Sequence, residues 1–341
     1  MKGMVLRAPT DLVADDVAVP AADPARDVLV RVTHSGICGT DFKIYSGAIP
    51  VSYPRIMGHE MIGEVVSAGN SAVSPGDRVI VDPELYCGAC FHCRIGQTHL
   101  CPNGMLLGRD ANGGFADYVA APATHVFRLP GSIESRTAPL VQVLTTCVHA
   151  QRQVQMFPGE SVVVYGLGVT GQLHVQLAKA RGASPVIGVT RSPQKRALAE
   201  TLGADLTIAG GADAAAKVRE ATEGRGGDVV IETTGMLPSL AASIDMARFG
   251  GRLLLFGIIT AKDGALPFYD LYFKELALVG ARVARSEDYP ASLALVEKGI
   301  VRLEPLISDV MPLAELKQAI GMLGTDDARR MKIIMEHSRK P

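Results

Sequence analysis

Ser161-Val162-Val163-Val164-Tyr165-Gly166-Leu167-Gly168-Val169-Thr170-Gly171 is a short apolar run that breaks into a glycine turn. A continuous apolar run of this length, closed by a turn signal, reads as a strand buried on both faces. A helical pattern follows, through about Arg181. G-x-G-x-x-G is a weak signal alone. Between a strand and a helix it gains a physical meaning. Gly166 permits the tight turn, and Gly168 lets the backbone approach a pyrophosphate at the helix N-terminus. Gly171 lets helix and strand pack closely, with Leu167 and Val169 between the glycines. The competing reading is a glycine-rich turn that binds nothing.

Working toward the C-terminus, the alternation continues. Pro185-Val186-Ile187-Gly188-Val189, Asp228-Val229-Val230-Ile231-Glu232 and Arg252-Leu253-Leu254-Leu255-Phe256 read as further strands, separated by helical stretches. Such alternation predicts an α/β domain: a doubly wound parallel sheet covered on both faces. The Ala-rich stretch Ala212–Ala216 reads as helix, and Tyr289–Lys298 as a later helix before a short tail.

The end of the second strand bears on the cofactor. A NAD site places Asp or Glu there, against the ribose hydroxyls. Here Thr190 stands 19 residues after Gly171, followed by Arg191, Ser192, Lys195 and Arg196. No carboxylate occurs between Arg181 and Glu200. A 2′-phosphate would meet hydroxyls and guanidinium groups there instead of repulsion. NADP is therefore expected over NAD. The alternative leaves Arg191 as a solvated loop residue and lets NAD bind through Thr190.

Toward the N-terminus the texture differs. Runs such as Val28-Leu29-Val30-Arg31-Val32 and Met61-Ile62-Gly63-Glu64-Val65-Val66 are broken by Gly, Pro and Asp, as in Ser74-Pro75-Gly76-Asp77. Many short strands of this kind predict a barrel-like β domain over residues 1 to about 150.

The 341 residues suffice for two such domains. Lys plus Arg number 34 against 35 Asp plus Glu, which leaves no basic excess to drive binding to nucleic acid or an anionic membrane. No apolar run approaches the roughly 18 residues that span a bilayer, and the N-terminus lacks a signal-peptide apolar region. A cytoplasmic protein is expected.

Four of the six cysteines form Cys87-x2-Cys90-x2-Cys93-x7-Cys101. In a reducing compartment this density points to metal rather than disulfides. Four thiolates satisfy tetrahedral zinc and leave no open position, so the expectation is a structural zinc. Scattered thiols, an iron–sulfur site and a nucleic-acid finger are the alternatives. Against the finger, Arg94 and His92 make too little basic surface. Cys38-Gly39-Thr40-Asp41 and Gly58-His59-Glu60 offer a second set of zinc-suited donors. The separation of Cys38 and His59 is not diagnostic by itself.

Taken in order, Gly36-Ile37-Cys38-Gly39-Thr40-Asp41, Gly58-His59-Glu60, Gly76-Asp77-Arg78-Val79, the cysteine loop, Gly113-Gly114-Phe115-Ala116-Asp117-Tyr118 and the glycine turn resemble the zinc-containing medium-chain dehydrogenase/reductase family. That family covers alcohol, sorbitol and threonine dehydrogenases, and the resemblance spans nearly the whole chain. It implies a GroES-like catalytic domain over 1–150, completed by 286–341, and a Rossmann domain over 151–285, with active sites in the cleft between them. It implies two zinc ions per chain. Cys38 and His59 would ligate the catalytic one, Glu60 would stand in or beside its shell, and Asp41 would orient the histidine. Thr40 would take the substrate proton, and Thr146 would lie on the nicotinamide side of the cofactor.

Two positions depart from the family pattern. Gln142 replaces the glutamate that ligates zinc in the sorbitol-type branch; the amide oxygen is a ligand without charge, or else only hydrogen-bonds. Cys147, five residues on, reads as a packed thiol. Lys43 replaces a relay histidine, and would contact ribose, pass protons through water, or simply be solvated. The stretch Arg109-Asp110-Ala111-Asn112-Gly113-Gly114 resembles polyol- and sugar-acid-oxidising relatives, and Arg282 stands where sorbitol-type enzymes bring an arginine to the substrate cleft; a structural ion pair is the alternative for each arginine. With 5% aromatic residues and no Trp, a large aromatic pocket is not expected. The resemblance implies a polyol or sugar-derived secondary alcohol as substrate. The alternatives are a threonine-like amino alcohol or hydroxy acid, and a nucleotide-binding protein without turnover. It also implies a homodimer or homotetramer joined near Lys274–Gly280. The histidines other than His59 receive no catalytic role.

Overall fold

The computed structural model describes residues 1–325 and 329–338. The chain divides into two compact units: Met1–Thr145 with Ala284–Lys298 and Ile307–Pro341, and Thr146–Val283 with Gly299–Leu306.

In the second unit, six strands pair in parallel in the spatial order Leu206–Ala209, Val186–Thr190, Val162–Tyr165, Gly227–Glu232, Ala247–Leu255 and Ala277–Gly280. The earliest of these strands in sequence, Val162–Tyr165, lies in the middle of the sheet, and the order reverses beside it. Such a switch point opens a crevice at the carboxyl ends of the strands, where open α/β sheets bind nucleotides. Alternate side chains explain why the run Val162–Val164 is apolar throughout. Val162 and Val164 pack with Val175, Ala178 and Val186 on one face. Val163 packs with Ile187, Val218 and Ile244 on the other.

The first unit is built on a seven-stranded sheet. Its central strand, Asp27–Ile37, pairs antiparallel with Glu60–Ser67, Tyr118–Pro122 and the C-terminal strand Lys332–Glu336. Gly63 is required where two of these strands close up, because a Cβ there would meet the Arg31 carbonyl oxygen at 2.1 Å. Two apolar clusters fill the unit, one around Leu6, Ile44, Phe115 and Ile333, the other around Val30, Val65, Val79 and Val119.

The segment 286–341, expected to complete the first unit, is shared between the two, and residues 326–328 and 339–341 lie outside the described residues. Gly299–Leu306 clusters with the second unit for a local reason. Gln176 donates through Nε2 to the Arg302 carbonyl oxygen at 3.1 Å and accepts from the Arg302 N–H at 2.7 Å. Val301 is buried beside them. Among the described residues no helix is long and apolar enough to cross a membrane.

Candidate metal centres and dinucleotide turn

Cys38 caps the short helix Gly39–Tyr45 with extended backbone (φ −113°, ψ 159°). One turn on, the buried Asp41 closes the cap: its Oδ2 accepts the Cys38 N–H at 2.9 Å. Its other oxygen, Oδ1, stands 3.4 Å from Nδ1 of His59. Both atoms are buried without another hydrogen-bond partner. The pair fixes the tautomer: a proton on Nδ1 facing Asp41 leaves Nε2 as the nitrogen that can ligate. Burial lowers the His59 pKa, but Asp41 and the Cys38 sulfur raise it further, and the net direction is well upward.

One ligand atom from each of Cys38, His59 and Glu60 lies within 4.8 Å of the others. A thiol, an imidazole and a carboxylate, two of the three buried, form a donor set suited to zinc. Thr40 and Lys43 occupy the same helix, both half-buried. Gln142 is buried in the first turn of helix Leu140–Gln153.

The Glu60 carboxylate has a partner that nothing in its local sequence announces. Lys332 donates at 2.8 Å to each of its oxygens and at 3.0 Å to the Ile37 carbonyl oxygen. Burial lowers the Lys332 pKa, while Glu60 and Cys38 raise it by more, so the net shift is upward.

In the cysteine loop the Cys87–Cys101 sulfur distance is 3.6 Å and the Cys90–Cys101 distance 3.9 Å, with all four sulfurs within 4.8 Å. Four sulfurs at about 2.3 Å from one tetrahedral zinc stand about 3.8 Å apart. The loop therefore fits a single ion. A multi-iron cluster would spread its thiolates over several metal atoms. The N–H groups of Ala89 and Cys90 lower the Cys87 pKa, whereas burial and the neighbouring thiols raise that of Cys93, so the four thiols share their protons unevenly when no ion is bound.

The glycine turn is built as its spacing predicts. Gly166 has φ +94°, a left-handed conformation, and a Cβ there would strike Oγ1 of Thr233 at 2.5 Å. Gly168 caps helix Val169–Ala180, and a Cβ on it would meet nothing within 4 Å. That open face above a helix N-terminus suits a phosphate. Leu167 is buried beneath the turn. Beside it lies the fully buried Glu232, which sequence reasoning did not single out. Its carboxylate accepts from the N–H groups of Thr234 (2.7 Å) and Gly235 (3.0 Å) and from the Thr234 hydroxyl (2.5 Å). The loop so held places Thr233, whose hydroxyl donates to the Gly166 carbonyl oxygen at 2.9 Å.

At the end of strand Val186–Thr190, Ser192 caps the next helix by accepting the Lys195 N–H at 3.3 Å. Arg196 turns back onto the carbonyl oxygens of Thr190 and Arg191, at 3.0 and 3.1 Å. Arg191 itself is exposed.

The remaining candidates are less engaged. Arg109 pairs with its neighbour Asp110 at 2.6 Å, a contact that needs no substrate. Arg282 is exposed and belongs to the second unit, as does Thr146, on helix Leu140–Gln153. Cys147 is fully buried, and burial drives its pKa upward, as expected of a packed thiol.

Comparison with known proteins accounts for both units. Residues 24–131 match the alcohol dehydrogenase GroES-like domain, and residues 169–298 the zinc-binding dehydrogenase domain. A 2-dehydro-3-deoxy-L-galactonate 5-dehydrogenase of Pseudoalteromonas atlantica is 32% identical over 92% of this chain and 93% of its own. An L-threonine 3-dehydrogenase of Pyrococcus abyssi is 35% identical over 86% of each. A Sinorhizobium meliloti protein solved bound to NADP superposes with a TM-score of 0.90 at 31% identity, covering 98% of both chains. With the GroES-like sheet, the doubly wound parallel sheet and the donor clusters in place, the chain belongs to the zinc-containing medium-chain dehydrogenase/reductase family and is an oxidoreductase.

Proposed function

We propose that this protein transfers a hydride between the carbinol carbon of a small secondary alcohol, a polyol or sugar-derived compound, and NADP. One zinc would be held by Cys38 and His59 and a second by the cysteine loop. The observation that carries the reading is the convergence of Cys38, His59 and Glu60 within 4.8 Å, in a chain that also holds an open glycine turn on a helix N-terminus.

The bound groups supply Lewis-acid polarisation of the alcohol oxygen and a hydride acceptor. Asp41 holds the His59 ring in the ligating tautomer. Gln142 would add a neutral amide oxygen to the shell, so that a zinc held there with Cys38 as its one anionic ligand would carry a site charge of about +1. Thr40 would accept the alcohol proton at its hydroxyl oxygen as it releases its own, which would leave toward solvent through the cofactor's ribose hydroxyl, with Lys43 on the same helix a candidate ribose contact. Thr146 would lie on the nicotinamide side of a bound cofactor. Gly168 would receive its pyrophosphate, and Arg191, with Thr190 and Ser192, its 2′-phosphate. Support for NADP comes from the missing carboxylate at Thr190 and from the NADP-bound relative.

The sugar-acid relative supports the substrate class, with Arg109 and Arg282 as candidate contacts for hydroxyls or a carboxylate. The identity to an L-threonine 3-dehydrogenase supports an amino alcohol as the second reading. Strand Ala277–Gly280 ends the sheet beside exposed Tyr269, Tyr272 and Phe273, and supports pairing with a second copy there.

NADP and NAD reduction measured against polyols, sugar acids, threonine and simple alcohols, with zinc quantified on the same sample, tests the proposal. Turnover with NADP and a polyol at about two zinc per chain is the expected result. Turnover only with threonine selects the second reading, and no turnover with any alcohol rejects both.

A further inference from the structure

Strand Lys332–Glu336 buries a lysine as its first residue. All three ammonium hydrogens have acceptors: the Ile37 carbonyl oxygen and the two oxygens of Glu60. The Glu60 carboxylate is cradled on a second side. Gly36 is its register partner in the neighbouring strand, and a Cβ on Gly36 would stand 2.1 Å from Glu60 Oε2. The carboxylate therefore presses its Oε2 against a glycine, while a buried cation holds both of its oxygens. Zinc bonds of about 2.0–2.3 Å place tetrahedral ligand atoms roughly 3.5 Å apart. Glu60 is near enough to Cys38 and His59 to join a metal there. Its two oxygens are already committed elsewhere.

We propose that Lys332 is a positioning residue that parks the Glu60 carboxylate beside the metal held by Cys38 and His59, so that ion pair and metal compete for one carboxylate. This rests on the reading of Cys38 and His59 as a metal centre. Gly36 supplies the space for the parked position. Because Gln142 is neutral, parking leaves the metal with one anionic ligand, and release of Glu60 would give it two. Lys332 thereby sets how strongly the metal polarises a bound oxygen without touching the substrate.

Cobalt(II) exchanged into the full-length protein reports its ligands through thiolate charge-transfer and d–d absorption. The cysteine loop contributes equally to every variant and cancels in differences. Glu60→Gln should leave the Cys38-dependent bands at their wild-type positions and intensities, because a parked carboxylate is not a ligand. Lys332→Met should shift those bands toward the weaker absorption of a more highly coordinated ion and slow extraction of that metal by a chelator about tenfold. The double variant E60Q/K332M should restore the wild-type spectrum. Changed bands in Glu60→Gln overturn the proposal, as do unchanged bands and extraction in a folded Lys332→Met. Should Lys332→Met fail to fold, Lys332→Gln, which removes the charge but keeps a donor for the Ile37 carbonyl oxygen, carries the same comparison. Cys38→Ser separates the two levels of the argument: if it removes no cobalt band, the metal centre itself is misassigned.

Discussion

A Cβ on Gly171 would stand 1.9 Å from the carbonyl oxygen of Gly166, whereas one on Gly168 would meet nothing within 4 Å. The two glycines of one turn therefore serve different ends, and alanine substitution should separate them. Gly171→Ala collides with backbone that cannot give way, so its cost should exceed the roughly 1–3 kcal/mol of ordinary overpacking. Gly168→Ala should change stability without cofactor by no more than about 0.5 kcal/mol, yet weaken NADP binding at least about tenfold by filling the space for the pyrophosphate. Denaturant unfolding and nucleotide titration of both variants check the pair. Equal nucleotide affinity in Gly168→Ala and wild type would place the phosphates elsewhere.

Asp41 contacts His59 through a single atom pair and holds the Cys38 N–H with its other oxygen. Asp41→Asn removes the charge that fixes the imidazole tautomer while keeping the side-chain shape. Affinity for the Cys38-bound metal should fall by about 10–100-fold, in line with other residues that orient a ligating histidine. Competition with a chelator measures it, and metal in the cysteine loop should be unaffected.

Cys93→Ser tests the second centre. With both centres filled as proposed, zinc content should fall by one per chain, and the melting temperature should drop, since metal that binds only the folded loop stabilises the fold. A variant that retains both zinc ions would show that three cysteines suffice.

Arg191 is exposed, whereas Arg196 is folded back onto the Thr190 and Arg191 carbonyl oxygens. Arg191→Ala should therefore raise KM for NADP by roughly 10–100-fold, the worth of about 1.5–3 kcal/mol in charge-assisted hydrogen bonds. KM for NAD should barely move. A parallel rise for both cofactors would mean that Arg191 supports the loop rather than the 2′-phosphate.

The features legible in the sequence are those whose partners are close in the chain. The glycine turn, the cysteine loop and the missing carboxylate after Val189 each lie within about twenty residues, where spacing alone constrains geometry. Cys38 and His59 became legible only through family resemblance, because strand pairing brings them together. Lys332 was beyond reach. Its partner Glu60 lies 272 residues away, and the local signal was no more than a lysine opening an apolar strand. Glu232 was hidden differently: it reads as the polar end of a strand, and only the structure shows its carboxylate organising the loop under Gly166. The capture of Gly299–Leu306 by the second unit depends on Gln176, 126 residues from Arg302, and periodicity cannot encode that distance.

Asp82 gives a prediction about pH that is independent of metal and cofactor. Its side chain is buried, accepting the Ser286 hydroxyl at 2.5 Å and the Glu84 N–H at 3.1 Å. Burial raises its pKa to about 6; the hydrogen bonds from Ser286, Glu84 and Tyr289 only partly offset this. A carboxyl whose pKa is higher folded than unfolded binds its proton more tightly in the folded state. Its contribution to stability is complete below about pH 4 and is lost as pH rises through about 6. A shift of about two units corresponds to roughly 3 kcal/mol at most. Asp82→Asn removes this dependence, whatever fixed cost or gain the amide brings. The stability of Asp82→Asn minus that of wild type should therefore be more positive at pH 7.5 than at pH 4.5, by roughly 2 kcal/mol, because part of the dependence lies below pH 4.5. Other carboxylates titrate alike in both proteins and cancel in the difference. Denaturant unfolding at the two pH values gives the answer. A difference that does not change with pH would mean that Asp82 has a similar proton affinity folded and unfolded, with its burial offset by its hydrogen bonds.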